Sequence, residues 1–160
     1  MEIESCKIEK DDSWQCVIGH AGFIKTVDDL YQAMASAAPG IKFGIGFDEA
    51  SGDCLVRFEG NDDELTDAAK QAAYKIGAGH TFVIFFTGAF PINVVGALRN
   101  VPEVAEVYCA TANPVEVLTA KGSIGKAVIG VVDGYAPKGF EDEEHVKGRR
   151  ELLKKFGYVP

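Results

Sequence analysis

The chain has 160 residues, 47% hydrophobic and 25% charged, a balance that fits one folded domain with a sizeable core and excludes a disordered chain. A formal net charge of -8 leaves no broad basic footprint, which argues against nucleic acid or an anionic membrane as a partner. No apolar run approaches the roughly 20 residues of a membrane span, and the start Met1-Glu2-Ile3-Glu4 is acidic and alternating, unlike a leader peptide, so a cytoplasmic address is expected.

Ile3 to Ile8 and Trp14 to Ile18 read as two short strands joined by the polar turn Lys10-Asp11-Asp12-Ser13. Thr26 then serves as a helix N-cap, with Asp28 and Asp29 in the first turn, where carboxylates suit the helix dipole. Val27, Leu30, Tyr31, Met34 and Ala38 follow helical spacing until Pro39-Gly40 stops the helix.

Ile41, Phe43, Ile45 and Phe47 alternate with Lys42, Gly44, Gly46 and Asp48, so this strand has one apolar face and one face stripped by two glycines. Either a packed helix or a ligand must approach that bare backbone closely. After the turn Ala50-Ser51-Gly52-Asp53, the segment Cys54 to Glu59 returns as a hairpin partner. Asn61 with Glu64 has the capping-box pattern, and Leu65, Ala68, Ala69, Ala72, Ala73 and Ile76 form a small-residue helical stripe suited to close packing on a sheet.

Gly77-Ala78-Gly79 breaks that helix. The nearly continuous apolar run His80-Thr81-Phe82-Val83-Ile84-Phe85-Phe86 then predicts a central strand covered on both faces. Pro91 opens a short helix to Arg99, Val104 to Ala110, Val115 to Ala120 and Ala127 to Val132 are strands, and Glu141 to Phe156 is a charged amphipathic helix with Val146, Leu152, Leu153 and Phe156 inward. The order ββαββαβαβββα predicts a single α/β (or α+β) domain, a mixed β-sheet with packed helices.

Four cysteines (Cys6, Cys16, Cys54, Cys109) stand apart with no Cys-x-x-Cys pair, so they read as free thiols, with Cys16, Cys54 and Cys109 inside apolar strand patterns. No metal motif is present. His80, opening a buried strand after a flexible turn, is placed where rigid scaffolds present functional groups, and imidazole can act as acid, base or phosphoryl-accepting nucleophile. From position alone, a hydrogen-bonded core or turn histidine is the more ordinary reading. His20 sits on a second possible rim beside Gly19 and Gly22, and His145 on a polar helix face. Lys25, Glu49, Ser51, Asn93, Arg99 and Asn113 lie at strand ends or short loops, where cations suit phosphate and carboxylates or amides suit ribose hydroxyls or a purine edge. Lys121-Gly122-Ser123-Ile124-Gly125-Lys126 lacks the P-loop order and joins two strands, so it reads mainly as a turn, with contact to an acidic ligand as the alternative.

Several segments together resemble the adenosine-specific kinase family: Phe23-Ile24-Lys25-Thr26-Val27-Asp28-Asp29-Leu30, Gly40 to Gly44 with Glu49-Ala50-Ser51-Gly52, and Gly77-Ala78-Gly79-His80-Thr81-Phe82. Phe90 to Val94, Ala97 to Val104, Ala112-Asn113-Pro114-Val115-Glu116-Val117 and Gly130-Val131-Val132-Asp133-Gly134 continue the likeness in order. The resemblance implies binding of adenosine and AMP, a phosphohistidine carried by position to His80, and a homo-oligomer. It leaves the phosphoryl donor open, with ATP and magnesium as one possibility. One departure is Gly22, where the family pattern often has a histidine just before Phe-Ile-Lys-Thr. The leading expectation is therefore a nucleoside phosphotransferase making AMP from adenosine through His80. The alternatives are a non-catalytic adenosine or AMP sensor and a structural assembly protein.

Overall fold

The computed structural model describes all 160 residues, in the order β1 (Ile3–Lys7), β2 (Gln15–Ala21), α1 (Thr26–Ala37), β3 (Lys42–Asp48), β4 (Val56–Gly60), α2 (Asp63–Ile76), β5 (Thr81–Thr87), α3 (Pro91–Arg99), β6 (Val104–Thr111), β7 (Val115–Lys121), β8 (Lys126–Asp133) and α4 (Glu143–Lys155). This is the expected α/β element order. The strands divide between a five-stranded sheet, β4-β3-β5-β2-β6, and a three-stranded sheet, β1-β7-β8. Every strand pairing in both sheets is antiparallel.

β5 lies at the centre of the larger sheet, and Thr81 to Phe86 are all buried, as an apolar run without alternation requires. The core lies on both faces of this sheet. On one, Val17, Phe43, Phe47, Phe82, Ile84 and Phe86 pack with α1 and α3 through Leu30, Met34, Val94 and Leu98. On the other, Cys16, Ile18, Val83 and Phe85 pack with α2 and the smaller sheet through Leu65, Ala69, Ala73, Cys6 and Val117. Burying each such large side chain contributes about 1.5–3 kcal/mol.

The bare face of β3 is covered by a helix. A Cβ on Gly44 would collide with the backbone of Thr66, and one on Gly46 with the carbonyl of Ala69, so α2 rides directly on the strand. The alanine stripe of α2 is the other half of that contact.

Four local expectations are corrected. Lys25, and not Thr26, occupies the N-cap position of α1, while the buried Thr26 hydroxyl accepts from the Phe23 amide. Asp62 caps α2 by accepting from the Leu65 amide. Asn61 instead bridges the strand end, accepting from Phe43 N and donating to Ile41 O. Cys54 is exposed in the β3–β4 turn with φ 50°, outside any strand. Finally, α4 buries no residue: Leu152, Leu153 and Phe156 are exposed, with Phe156 meeting the ring of Phe90. Amphipathic spacing marks an apolar stripe but does not name the surface that covers it.

Candidate functional site

His80 sits between the Gly77–Gly79 turn and β5, with φ at 64°, in the left-handed region. For an L side chain this costs about 1–2 kcal/mol, and such residues persist only where the surroundings hold them. Two backbone hydrogen bonds do so: His80 N donates to Asp48 O at 2.7 Å, and Ala21 N donates to His80 O at 2.9 Å. The histidine is thereby pinned across the ends of β3, β5 and β2.

Its ring is partly exposed, neither sealed in hydrocarbon nor free in solvent. It stacks on Phe47 with centroids 5.9 Å apart and planes 12° from parallel, and the His20 ring meets it edge-on at 5.8 Å. Gly22 completes the seat, because a Cβ there would lie 2.5 Å from His80 Nδ1. Burial holds the His20 imidazole below its ordinary pKa, and nearby His80 lowers it further.

Glu49 stands beside the ring, its Oε1 3.9 Å from His80 Nε2. The same oxygen accepts from Ala50 N at 2.9 Å, Ser51 N at 3.1 Å and Ser51 Oγ at 3.0 Å, while Oε2 pairs with Arg57 Nη2 at 3.0 Å. Burial alone would raise this carboxyl. The hydrogen bonds from Ser51 and Ala50, aided by the Arg57 charge, win and bring it below the usual range, so Glu49 is an anion near neutral pH. Arg57 Nη1 also donates to Ile24 O at 3.1 Å, tying this cluster to the loop before α1.

Of the residues singled out from the sequence, Glu49 stands beside His80, and Ser51 joins the site through its hydrogen bonds to Glu49. Lys25 lies at the same end of the sheet, in the loop that Arg57 contacts, where it pairs with Asp29 at 2.9 Å. Arg99 ends α3 at this end too, just before the segment where Glu103 O accepts from Gly22 N. Asn93 and Asn113 lie elsewhere. The register pairing Cys16 with Thr111 puts the Asn113 turn at the opposite end of β2 from His20, and α3 starts there after β5. Asn93 accepts from Phe90 N as part of a helix cap, and Asn113 donates to Asp133 across the β6–β7 turn. Both have local structural work in those positions.

Sequence reasoning did not single out Phe47 as a ring partner, Gly22 as a seat or Arg57 as the counter-ion of Glu49. Strict alternation on β3 places Phe47 beneath the strand end, but the meeting with His80 depends on the β3–β5 register. No three His, Cys, Asp or Glu side chains gather as a metal cage.

The fold and this corner define a two-sheet α/β protein that presents a strained, partly exposed histidine against an anchored carboxylate–guanidinium pair. The sequence pattern described as "Adenosine specific kinase" matches residues 6–159, and the chain belongs to that family. It is similar to the solved structure of PH1918 protein from Pyrococcus horikoshii OT3, at 49% identity over 99% of this chain and 98% of that one, with a TM-score of 0.95. Against curated proteins the chain has no match. No helix is long and apolar enough to cross a membrane.

Proposed function

We propose that this protein binds adenosine and AMP and transfers a phosphoryl group to the 5′-hydroxyl of adenosine through His80. The observation that carries the reading is the histidine itself: its ring is partly exposed, its backbone is strained, and Phe47, His20, Gly22 and Glu49 fix its orientation. Strain held in place by surrounding contacts is a mark of functional positions.

The chemistry runs in two displacements. An imidazole nitrogen attacks the terminal phosphorus of a nucleoside triphosphate donor, forming an N–P bond as the P–O bond to the diphosphate leaving group breaks. The 5′-oxygen of adenosine then attacks that phosphorus, the N–P bond breaks, and the hydroxyl proton passes to solvent. Arg57 and Lys25 are the cations on hand to neutralise phosphate charge, although each already pairs with a carboxylate.

His80→Asn tests this, because Asn tolerates the left-handed backbone that Ala would strain. Wild type should incorporate acid-labile phosphate from labelled ATP and form AMP, and the variant should do neither while staying folded. Equal AMP formation by both would remove His80 from the mechanism.

A non-catalytic adenosine or AMP sensor is the second reading. It is favoured by the Glu49 carboxylate, which stands where a phosphate on Nε2 would be repelled. Binding by calorimetry with no turnover under any donor would select it. Self-association is supported by α4, whose Leu152, Leu153 and Phe156 remain uncovered. A helix of 13 residues is marginal without tertiary packing, so a second copy is the natural cover. Light scattering that reports a monomer at assay concentration would oppose this, and with it the structural-assembly alternative.

A further inference from the structure

His20 brings a second imidazole to the His80 corner. It lies between two register irregularities of the β2–β6 ladder, at Ile18/Gly19 and at His20/Ala21. Such bulges re-aim single side chains and gather beside functional sites. The chain around it is kept bare. A Cβ on Gly19 would strike the Phe82 ring and the Glu106 carbonyl, and one on Gly22 would strike His80, so no side chain from either position competes with the two imidazoles. Their rings meet edge-on with centroids 5.8 Å apart. A hydroxyl held between a base and a phosphorus needs about 3 Å to each. The separation of the rings is of that size, so a small acceptor group can reach His20 while it attacks a phosphoryl group carried on His80.

The other polar groups of the corner are poor proton acceptors. Glu49 Oε1 already accepts three hydrogen bonds and Oε2 pairs with Arg57, and together these hold the carboxyl below its usual range. Lys25 is a cation paired with Asp29, and the free Oδ2 of Asp48 is buried. His20 has no such engagement, for the histidine–carboxylate pairs of the structure belong to His80 and His145. Opposite His20, β5 sets Thr81, which does not titrate, and β6 sets Glu106, an exposed residue that makes no pair with it. The Glu103 carboxyl, in the turn before β6, keeps company with Asp29 and Lys25. Burial first, and then the His80 ring, favour the uncharged form of His20, which has a lone pair to offer near neutral pH.

We infer that His20 is the general base of the second displacement, taking the 5′-hydroxyl proton of adenosine as that oxygen attacks the phosphorus on His80. The inference rests on the phosphotransfer reading and deepens it. As the new O–P bond forms and the N–P bond breaks, the electron pair of the N–P bond returns to the His80 ring. The proton on His20 is then lost to solvent, which resets the site. A base so placed accelerates transfer by about 10²–10⁴-fold. It has no such part in the first displacement, where no hydroxyl proton is in flight.

Timing the two displacements apart tests the assignment. Full-length wild type and His20→Gln are labelled with radioactive ATP and desalted, and adenosine is then added over a range of pH, with the label lost in adenosine-free controls subtracted. Gln keeps a polar side chain but takes no proton. In wild type, transfer to AMP should fall as the pH drops below 6.5 and His20 becomes protonated. In His20→Gln, transfer at neutral pH should fall at least about a hundredfold and the acid limb should vanish, while the loss in labelling is smaller by at least about tenfold. A labelling loss within about tenfold of the transfer loss makes His20 a support for the His80 ring and overturns the inference. Transfer by the variant at the wild-type rate, or an acid limb that survives the substitution, overturns it as well. Each of these results leaves phosphotransfer through His80 in force. Wild type that takes up no label overturns the phosphotransfer reading itself, and the inference falls with it.

Discussion

Replacing Asp48 with Asn removes a charge that the fold accommodates poorly. In the unfolded chain this carboxyl ionises at its ordinary 3.8, whereas burial in the folded protein pushes it up to about 7, against the opposing hydrogen bond from the Ala78 amide. The folded value is the higher one. Stability is therefore fullest below about pH 4, falls as the pH rises from there to about 7, and is level above that. Each pH unit in this window is worth about 1.4 kcal/mol, so the cost at alkaline pH approaches about 4 kcal/mol. Residual solvent contact at Asp48, which is 7% exposed, screens part of it, so about 2–4 kcal/mol is the expected gain for Asp48→Asn at about pH 8, with little change at about pH 4. Urea unfolding of both proteins across that pH range measures the difference directly. Parallel stability curves, with the same pH dependence in wild type and variant, would refute the reasoning.

Gly46→Val should destabilise the fold by at least about 3 kcal/mol, because its side chain would strike the α2 backbone at Ala69 and Lys70, and denaturant unfolding reads the loss. Gly22→Ala places a methyl 2.5 Å from His80 Nδ1 and must push the ring off Phe47; phosphate incorporation should fall by about a hundredfold, with a matching change in the imidazole NMR signals. Ser51→Ala deletes a hydroxyl that donates to Glu49, whose carboxyl is lowered in the folded state. The stabilisation it contributes is therefore present above the unfolded pKa and lost as the pH falls, so the variant should cost about 1 kcal/mol at neutral pH and little in acid. Paired melts at the two pH values check that sign.

Much of the fold could be read from local pattern. Alternation along Ile41 to Phe47, the unbroken run into Phe86 and the alanines of α2 each express a contact made by neighbours in the chain's own periodicity. The cover on Gly44 and Gly46 was also readable as a choice between helix and ligand, and α2 decides it for a helix. The division of strands between two sheets was not legible, because periodicity says which face is apolar and not which strand lies beside it. Capping failed by one residue at each of α1 and α2. At α2, Asn61 satisfies two consecutive demands of the β3 edge, on Phe43 and Ile41, and leaves Asp62 to cap.

The site divides the same way. The position of His80 at the head of β5 follows from its glycine turn and the strand after it, and the Glu49–Ser51 turn from the hairpin. Their meeting depends on the β3–β5 and β2–β5 registers, which also bring Phe47, His20 and Gly22 to the ring. Asn93 and Asn113 carry the same residue chemistry at loops, but topology sends them to the far end of the sheet. That Asp48 Oδ2 is buried without a hydrogen-bond partner is a property of its surroundings, so the residue's name alone could not reveal it.

The clamps on His80, from Asp48 on one side and Ala21 on the other, bear on how any reaction would be choreographed. A carrier that ferries a group between distant stations needs a swinging arm, and this imidazole is riveted at the hub of three strands. Under the proposed phosphotransfer, donor and acceptor would each have to be delivered to this fixed platform, since it cannot travel to meet them.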